Sequence, residues 1–367
     1  MTRGFSHYLD VLRFGAAFVV LVSHFAYPRF TDGRHIWVRD LNLGSDAVVL
    51  FFVLSGLVIA FVAQTKDHTA RAFAFNRLTR LLSVAVPALV LGYALDRTGA
   101  ALFPAFYDSI YYNALPLSEQ LVRGLSFTNE WGGLATRLGS NGPYWSLSYE
   151  VAYYALFAIA WYLTGPMRAA LLLVGIWLVG LNILLLLPAW LAGVWVWRCL
   201  DAGWLPRRQA IPFLVVGLPV SYAVALMLGV PGALRTVTAM ALPADVLLSL
   251  RFSDEFLWNN LLALGVALHL LGVAALTRHR VAPAQGRLLP WLAGGSFSLY
   301  LFHYPLLQFL GPALPSTSAP LLDDAVLLGV VFTICYAFAG VFERSLKEQR
   351  LWLRARLVPE PDPRKSV

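Results

Sequence analysis

Arg13 and His24 lie eleven positions apart in the apolar stretch YLDVLRFGAAFVVLVSHF. At about 100° per residue, eleven steps make three turns and about 20°, so on a helix both side chains project from one face, about 16 Å apart along the axis. That is roughly half the hydrocarbon thickness of a bilayer. A guanidinium and an imidazole at two depths of a membrane helix are costly to bury, and such residues commonly line functional cavities. A neutral imidazole is a general base for a hydroxyl nucleophile. A guanidinium is an anion ligand. Asp10, three residues before Arg13, is placed to pair with it. That pairing, or snorkelling to head groups, is the structural alternative.

Three further motifs carry groups of the same kind. Arg77 and Arg80, in FNRLTRLLS, follow Lys66 and Arg71 and form a basic cluster fit for a phosphorylated ligand, or for ordinary membrane anchoring. Glu150 closes Asn141-Gly-Pro-Tyr-Trp-Ser-Leu-Ser-Tyr-Glu150 and falls about one and a half turns inside an apolar segment, where an acid needs a partner. The topology below puts it at about the depth of His24, so a carboxylate–imidazole pair is expected. Tyr144 and Trp145 suit the interfacial aromatic belt, and Ser146, Ser148 and Tyr149 are candidate hydrogen-bond donors to an acceptor or an oxyanion. Ser55-Gly56, within Phe51-Phe-Val-Leu-Ser-Gly56, reads as a packing or kink signal. His303 precedes Pro305 in FSLYLFHYPLL, and the proline frees a carbonyl; the histidine either donates to such a carbonyl or lines the cavity.

The elements that must position these groups are membrane helices. Of 367 residues, 59% are hydrophobic and 13% charged, against about a quarter charged in soluble domains. The fold class expected is all-α and polytopic, with about ten spans near 8–26, 46–64, 78–97, 145–163, 168–187, 189–200, 210–229, 256–276, 290–311 and 323–342. With the N-terminus inside, 19 of the 28 lysines and arginines fall on the inner side and 8 outside, leaving Arg13 within a span. This bias puts both termini in the cytoplasm. The +8 net charge is thereby explained without nucleic acid. The transmembrane domain is expected over 1–345, and a cytoplasmic tail, disordered at its end, over 346–367. Cys199 and Cys335 read as small buried hydrophobes. His7, His35, His68 and His279 read as loop residues. Aromatic residues Tyr107, Tyr111, Tyr112 and Trp131 in the long outer connection 98–143 suit either sugar stacking or the membrane interface. No cleavable signal peptide is evident, and neither HExxH, a Walker loop nor G-x-S-x-G occurs. No metal is expected.

Together the motifs resemble those of the acyltransferase-3 family of integral membrane O-acyltransferases, over about residues 5–345. Arg13-x10-His24 is similar to its first-helix signature, LFFVLSGLVIA at 50–60 to its second, and Arg77-x-x-Arg80 to its third-helix basic motif. YWSLSYE at 144–150 resembles its Trp-Ser-Leu…Glu motif, and SFSLYLFHYPLL at 296–307 its late Ser-Tyr…His-x-Pro segment. The resemblance implies transfer of an acyl group, usually acetyl, from cytoplasmic acyl-CoA to a hydroxyl of a surface glycan or lipid-linked saccharide, by a multi-pass protein of the inner (plasma) membrane surrounded by its lipids. On this basis His24 is the expected general base, Glu150 its orienting partner, and Arg13 a ligand of the CoA portion or the thioester carbonyl. Arg77 and Arg80 are the expected CoA-phosphate ligands, with acetyl-CoA as donor and no metal. Tyr144, Trp145, Ser146, Ser148, Tyr149 and His303 are candidates for the acceptor side. Direct transfer and an acyl-histidine intermediate both fit. Two departures stand out. Many members carry a soluble esterase-like domain, so a separate periplasmic protein would have to supply any such step here. The family also places a proline soon after the third-helix basic motif, whereas here the first is Pro87. The competing expectation, a transporter or flippase for a lipid-linked or anionic solute, is disfavoured by the lack of an inverted repeat.

Overall fold

The computed structural model describes residues 1–278 and 286–357. The described residues are 81% helical, and among them the β-pairing consists of isolated bridges, Asn113 with Gly139 and Leu138 with Asn141. Helix α1 (Arg3–Phe25) starts where the Thr2 hydroxyl accepts the Phe5 amide at 3.3 Å. Helix α2 (Leu43–Thr65) follows, then α3 (Ala70–Leu102), capped by Thr69. After α4 (Leu117–Ser126) in the long connection come α5 (Trp145–Tyr162), α6 (Gly165–Val179) and α7 (Leu187–Asp201). A helical stack over 210–227, α8, contains a π turn at Val216–Val220 around Pro219. The remainder are α9 (Val230–Ala241), α10 (Phe256–Thr277), α11 (Ser296–Ala313), α12 (Pro320–Phe342) and α13 (Leu346–Leu357).

Among the described residues six helical stretches are long and apolar enough to cross a membrane: Arg3–Phe25, Leu43–Thr65, Ala70–Leu102, Arg207–Met227, Ala244–Thr277 and Pro320–Arg356. The other four expected spans are helical too, in pieces that are shorter or richer in tyrosine and tryptophan. Several boundaries differ from expectation. The third span is extended at both ends to 33 residues and runs through Pro87 without a break, because its basic first turns continue the helix rather than forming a loop. The expected span 290–311 is divided at Gly294–Gly295, with α11 starting at Ser296. The expected span 168–187 is broken at Gly180, whose φ of +87° favours glycine. The first part of the expected tail is the helix α13, and 358–367 lie outside the described residues. Among the histidines expected in loops, His7 lies in α1, and His279 falls outside the described residues.

Helix α1 is the hub. Ala17, Leu21 and Phe25 enter a core with α3, α11 and α12. Phe5 and Leu9 enter a second with α2 and α10. Ala16 and Val20 enter a third with α2 and α5. Cys335 is fully buried in the first core and Cys199 half-buried beside the second. The tightest contact is between α2 and α7. A Cβ on Gly56 would lie 2.0 Å from the Trp190 carbonyl oxygen, and one on Gly193 would lie 1.9 Å from that of Val53. Small residues at both positions let the two backbones touch, as in other membrane helix pairs. The packing reading of Ser55-Gly56 thus has a structural basis. Backbone cannot retreat as a flexible side chain can, so Gly56→Ala and Gly193→Ala should each lower the thermal unfolding midpoint in detergent by several degrees. Gly15→Ala, whose Cβ would meet nothing within 4 Å, should not. Unfolding followed by tryptophan fluorescence checks this, and unchanged midpoints at Gly56 and Gly193 would contradict the contact.

Candidate functional site

Two cavities meet at the centre of the bundle. The first, of about 100 Å³, is lined by Arg13 from α1, Ser55 from α2, Arg77 and Arg80 from α3, and Glu150 and Tyr154 from α5. The second, of about 270 Å³, is lined by His24 and Tyr27, with Arg39, Trp145, Arg251, Phe252 and Glu255 around them. Val48 and Tyr300 border both and form the wall between them.

In the first cavity the three expected arginines do come together. Arg13 pairs with Asp10 at 3.3 Å, as the one-turn spacing predicts. Arg77 faces Asp67 at 3.8 Å, and Asp67 also accepts a 2.7 Å hydrogen bond from Asn76. Glu150 joins these arginines rather than His24. Its carboxylate accepts hydrogen bonds from Ser55 at 2.6 Å and from Tyr154, one turn on, while the Trp190 indole donates to the Ser55 hydroxyl at 3.2 Å. The expected Glu150–His24 pair is therefore replaced, since a shared depth does not make two side chains face each other.

His24 instead meets His303, with Nδ1 and Nε2 2.9 Å apart. The second histidine's Nδ1 lies 2.8 Å from the Leu299 carbonyl oxygen. A carbonyl only accepts, so Nδ1 of His303 carries the hydrogen. In the neutral pair its Nε2 is then the acceptor, Nδ1 of His24 is the donor, and Nε2 of His24 keeps its lone pair. His303 is fully buried and reaches neither cavity wall itself. Pro305 removes the amide that would bond the Leu301 carbonyl, and the Asn141 side chain donates to that carbonyl at 3.0 Å. The long connection is thus tied to α11 just beneath His303.

Of the other expected acceptor residues, Trp145 lines the second cavity. Tyr144, Ser148 and Tyr149 do not face either cavity. Each is buried, with Tyr144 donating to the Gly124 carbonyl at 2.8 Å, Ser148 donating to that of Phe127 at 2.6 Å, and Tyr149 sharing hydrogen bonds with Ser253 and Asn182. They fix α5 to the loops around it. Ser146 holds the Tyr300 hydroxyl at 2.6 Å and so acts on the wall. The aromatics of the long connection are likewise structural: Phe106 and Tyr111 hold the Arg29 guanidinium at 4.0 and 4.6 Å, Tyr107 and Tyr112 pack edge to face, and the Trp131 indole donates to the Ser148 carbonyl.

Sequence reasoning missed Tyr154, Tyr300 and Arg350. The one-turn spacing of Glu150 and Tyr154 was a readable signal. Arg350, on α13, donates to the Thr79 hydroxyl at 2.9 Å and the Asn76 carbonyl at 2.5 Å, beside Arg77 and Arg80, and nothing local announces that contact.

The sequence matches the acyltransferase-domain family known as acyltransferase-3 over residues 6–340. It is also similar to acyltransferase MdmB of Streptomyces mycarofaciens, at 31% identity over 159 residues. That alignment covers 42% of this chain and spans 38% of the relative. No solved structure matches.

Glu130, in the connection above the second cavity, supplies a pH test. Burial raises its carboxyl from 4.5 to about 8, against the pull of Arg251, of the Asn129 hydrogen bond and of Arg137. Between those values the folded chain keeps a proton that the unfolded chain has lost, so stability is full below about 4.5 and falls as pH rises through about 8. Glu130→Gln mimics the neutral acid and should flatten the fall in unfolding temperature between about pH 5 and 9. An identical slope in the variant would show that Glu130 is not held neutral.

Proposed function

Because the chain belongs to the acyltransferase-3 family of membrane acyltransferases, we propose that it moves an acyl group, acetyl in the simplest case, from acyl-CoA bound at the Arg13, Arg77 and Arg80 cavity to a hydroxyl of an extracytoplasmic carbohydrate at the His24 cavity. The observation that carries this reading is the pair of cavities parted by Val48 and Tyr300, one lined by Arg13, Arg77 and Arg80 and the other by His24, whose imidazole is hydrogen-bonded to His303 behind it. The charge bias of the loops supports a ten-span bundle with both termini cytoplasmic; in an inner membrane the first cavity would then face the side where acyl-CoA is available.

In this mechanism Arg77 and Arg80 hold the CoA phosphates through charge-assisted hydrogen bonds, and Arg13 steadies the thioester end. Nε2 of His24 takes the proton of the acceptor hydroxyl as its oxygen attacks the thioester carbonyl. The carbon–sulfur bond breaks, the thiolate leaves, and the proton on His24 is available to it. His303 is a positioning residue: its acceptor nitrogen holds the tautomer of His24 that presents a free Nε2. Glu150, tied to Ser55, balances the positive charge of the donor cavity rather than orienting His24. An acyl-histidine intermediate satisfies the same geometry, with Nε2 as the nucleophile.

General-base removal costs about 10² to 10⁴ in rate. His24→Ala should reduce by that order the transfer of label from acetyl-labelled acetyl-CoA into the glycan fraction of inverted membrane vesicles, with acetyl-CoA binding retained. His303→Ala should lower the turnover number and shift the pH–rate profile while leaving the apparent KM for acetyl-CoA within about twofold. Absence of both label and acetyl-CoA binding in the unmodified protein would rule out acyl transfer and favour solute transport.

A further inference from the structure

The His24 cavity continues into a larger one of about 480 Å³ that includes Glu130, Arg137 and Asn141 in its lining. Trp145, Arg251 and Phe252 line both, so the two form one vestibule leading to His24. Its charge is one-sided. Arg39, Arg137, Arg235 and Arg251 contribute guanidinium groups, which stay protonated at any ordinary pH. Against them stand three acids. Asp254 and Glu255 are taken up by Arg235 at 3.6 and 3.7 Å, and Glu255 also accepts from Asn42 at 2.5 Å. Glu130 is held neutral at pH 7 by its burial. Among the described residues no carboxylate lies within ion-pair distance of Arg39, Arg137 or Arg251. Arg39 is occupied by the Tyr27 ring at 3.6 Å and the Ser23 carbonyl at 3.2 Å. The guanidinium groups of Arg137 and Arg251 have no such partner among the described residues.

Arg251 is also held where a side chain is disfavoured, at φ +53° and ψ −111°. Backbone of this kind favours glycine, and strain is characteristically kept where a side chain has a task. Its neighbour Phe252 lies face to face with Trp145, ring centroids 4.3 Å apart and planes 7° apart, and remains 39% exposed. An aromatic face beside free guanidinium groups suits a ring that also bears a negative charge.

We propose that this vestibule is the acceptor site and that the acceptor is an anionic saccharide, its carboxylate or phosphate bound by Arg251 and Arg137 and its ring seated on the Trp145–Phe252 stack. This rests on the acyltransferase reading and narrows it: neutral hydroxyl compounds are poor acceptors, and the anionic group orients the reacting hydroxyl toward Nε2 of His24.

The test is ligand-induced thermal stabilisation of the full chain in detergent, using methyl glucuronide, a glucose phosphate and neutral methyl glucoside at matched concentration. At least one of the two anions should stabilise the unmodified protein well beyond the glucoside, and the stronger identifies carboxylate or phosphate chemistry. Arg251→Gln should weaken that anion's apparent affinity roughly tenfold or more, as loss of a charge-assisted contact does. Arg251→Gly puts the residue favoured by this backbone at the position. It should unfold at an equal or higher temperature without ligand yet lose the anion response, separating charge from folding. Equal responses to neutral and anionic sugars, no response to either anion, or an anion response unchanged in both variants overturns the proposal. Transfer of label from acetyl-CoA, measured on the same preparations, separates the two failures: label without anion preference overturns this inference alone, and no label with no acetyl-CoA binding overturns the reading beneath it.

Discussion

A guanidinium and an imidazole on one membrane helix must each find a partner away from water, and the centre of the fold is arranged around how α1 meets those two needs. Arg13 is served locally, by Asp10 one turn away. His24 is served from a distance, by His303 on α11. The second bond requires α11 to lie against α1 at one height and one rotation, and the Pro305 gap in α11 is filled from outside by Asn141. A hydrogen-bond path therefore runs from the long connection through the Leu301 carbonyl to the helix that carries His303. Desolvated polar groups without partners cost free energy, which makes this path a requirement of the fold.

The same economy governs the other side. Close approach of α2 and α7 at Gly56 and Gly193 places Ser55 between the Trp190 indole and the Glu150 carboxylate. Removing side chains at two positions is what lets a third, Ser55, bridge two helices. The arginine-lined cavity thus gains an acid whose orientation is fixed by packing, in a setting where three arginines would otherwise repel one another.

What could be read in the sequence depended on range. Arg13 with Asp10, the clustering of Arg77 and Arg80, and the close packing at Ser55-Gly56 are matters of helical spacing or residue size, and each was legible. The position of Glu150 was legible in depth and illegible in direction, because hydropathy orders residues along the membrane normal and says nothing about which neighbour they face. Tyr144, Ser148 and Tyr149 sit in the same motif as Trp145, yet only the tryptophan reaches a cavity; adjacency along a helix alternates faces every residue or two. The break at Gly294–Gly295 was missed because the apolar run continues through it. Arg350 was unreadable for another reason: its site is made by a helix that folds back across 271 residues to Thr79.

The wall of Val48 and Tyr300 has an electrical meaning. In the proposed arrangement, with the two cavities open to opposite sides, water would carry each bulk potential deep into the protein, and most of the transmembrane voltage would then fall across that thin partition. Moving one elementary charge through it exchanges about 2.3 kcal/mol per 100 mV. A neutral acyl group would cross with no such work, whereas the charged CoA and anionic acceptor of the proposed reaction would not. In that arrangement the partition would act as an insulator that passes the one uncharged component of the proposed reaction, so a cell could run the transfer without spending or leaking its membrane potential.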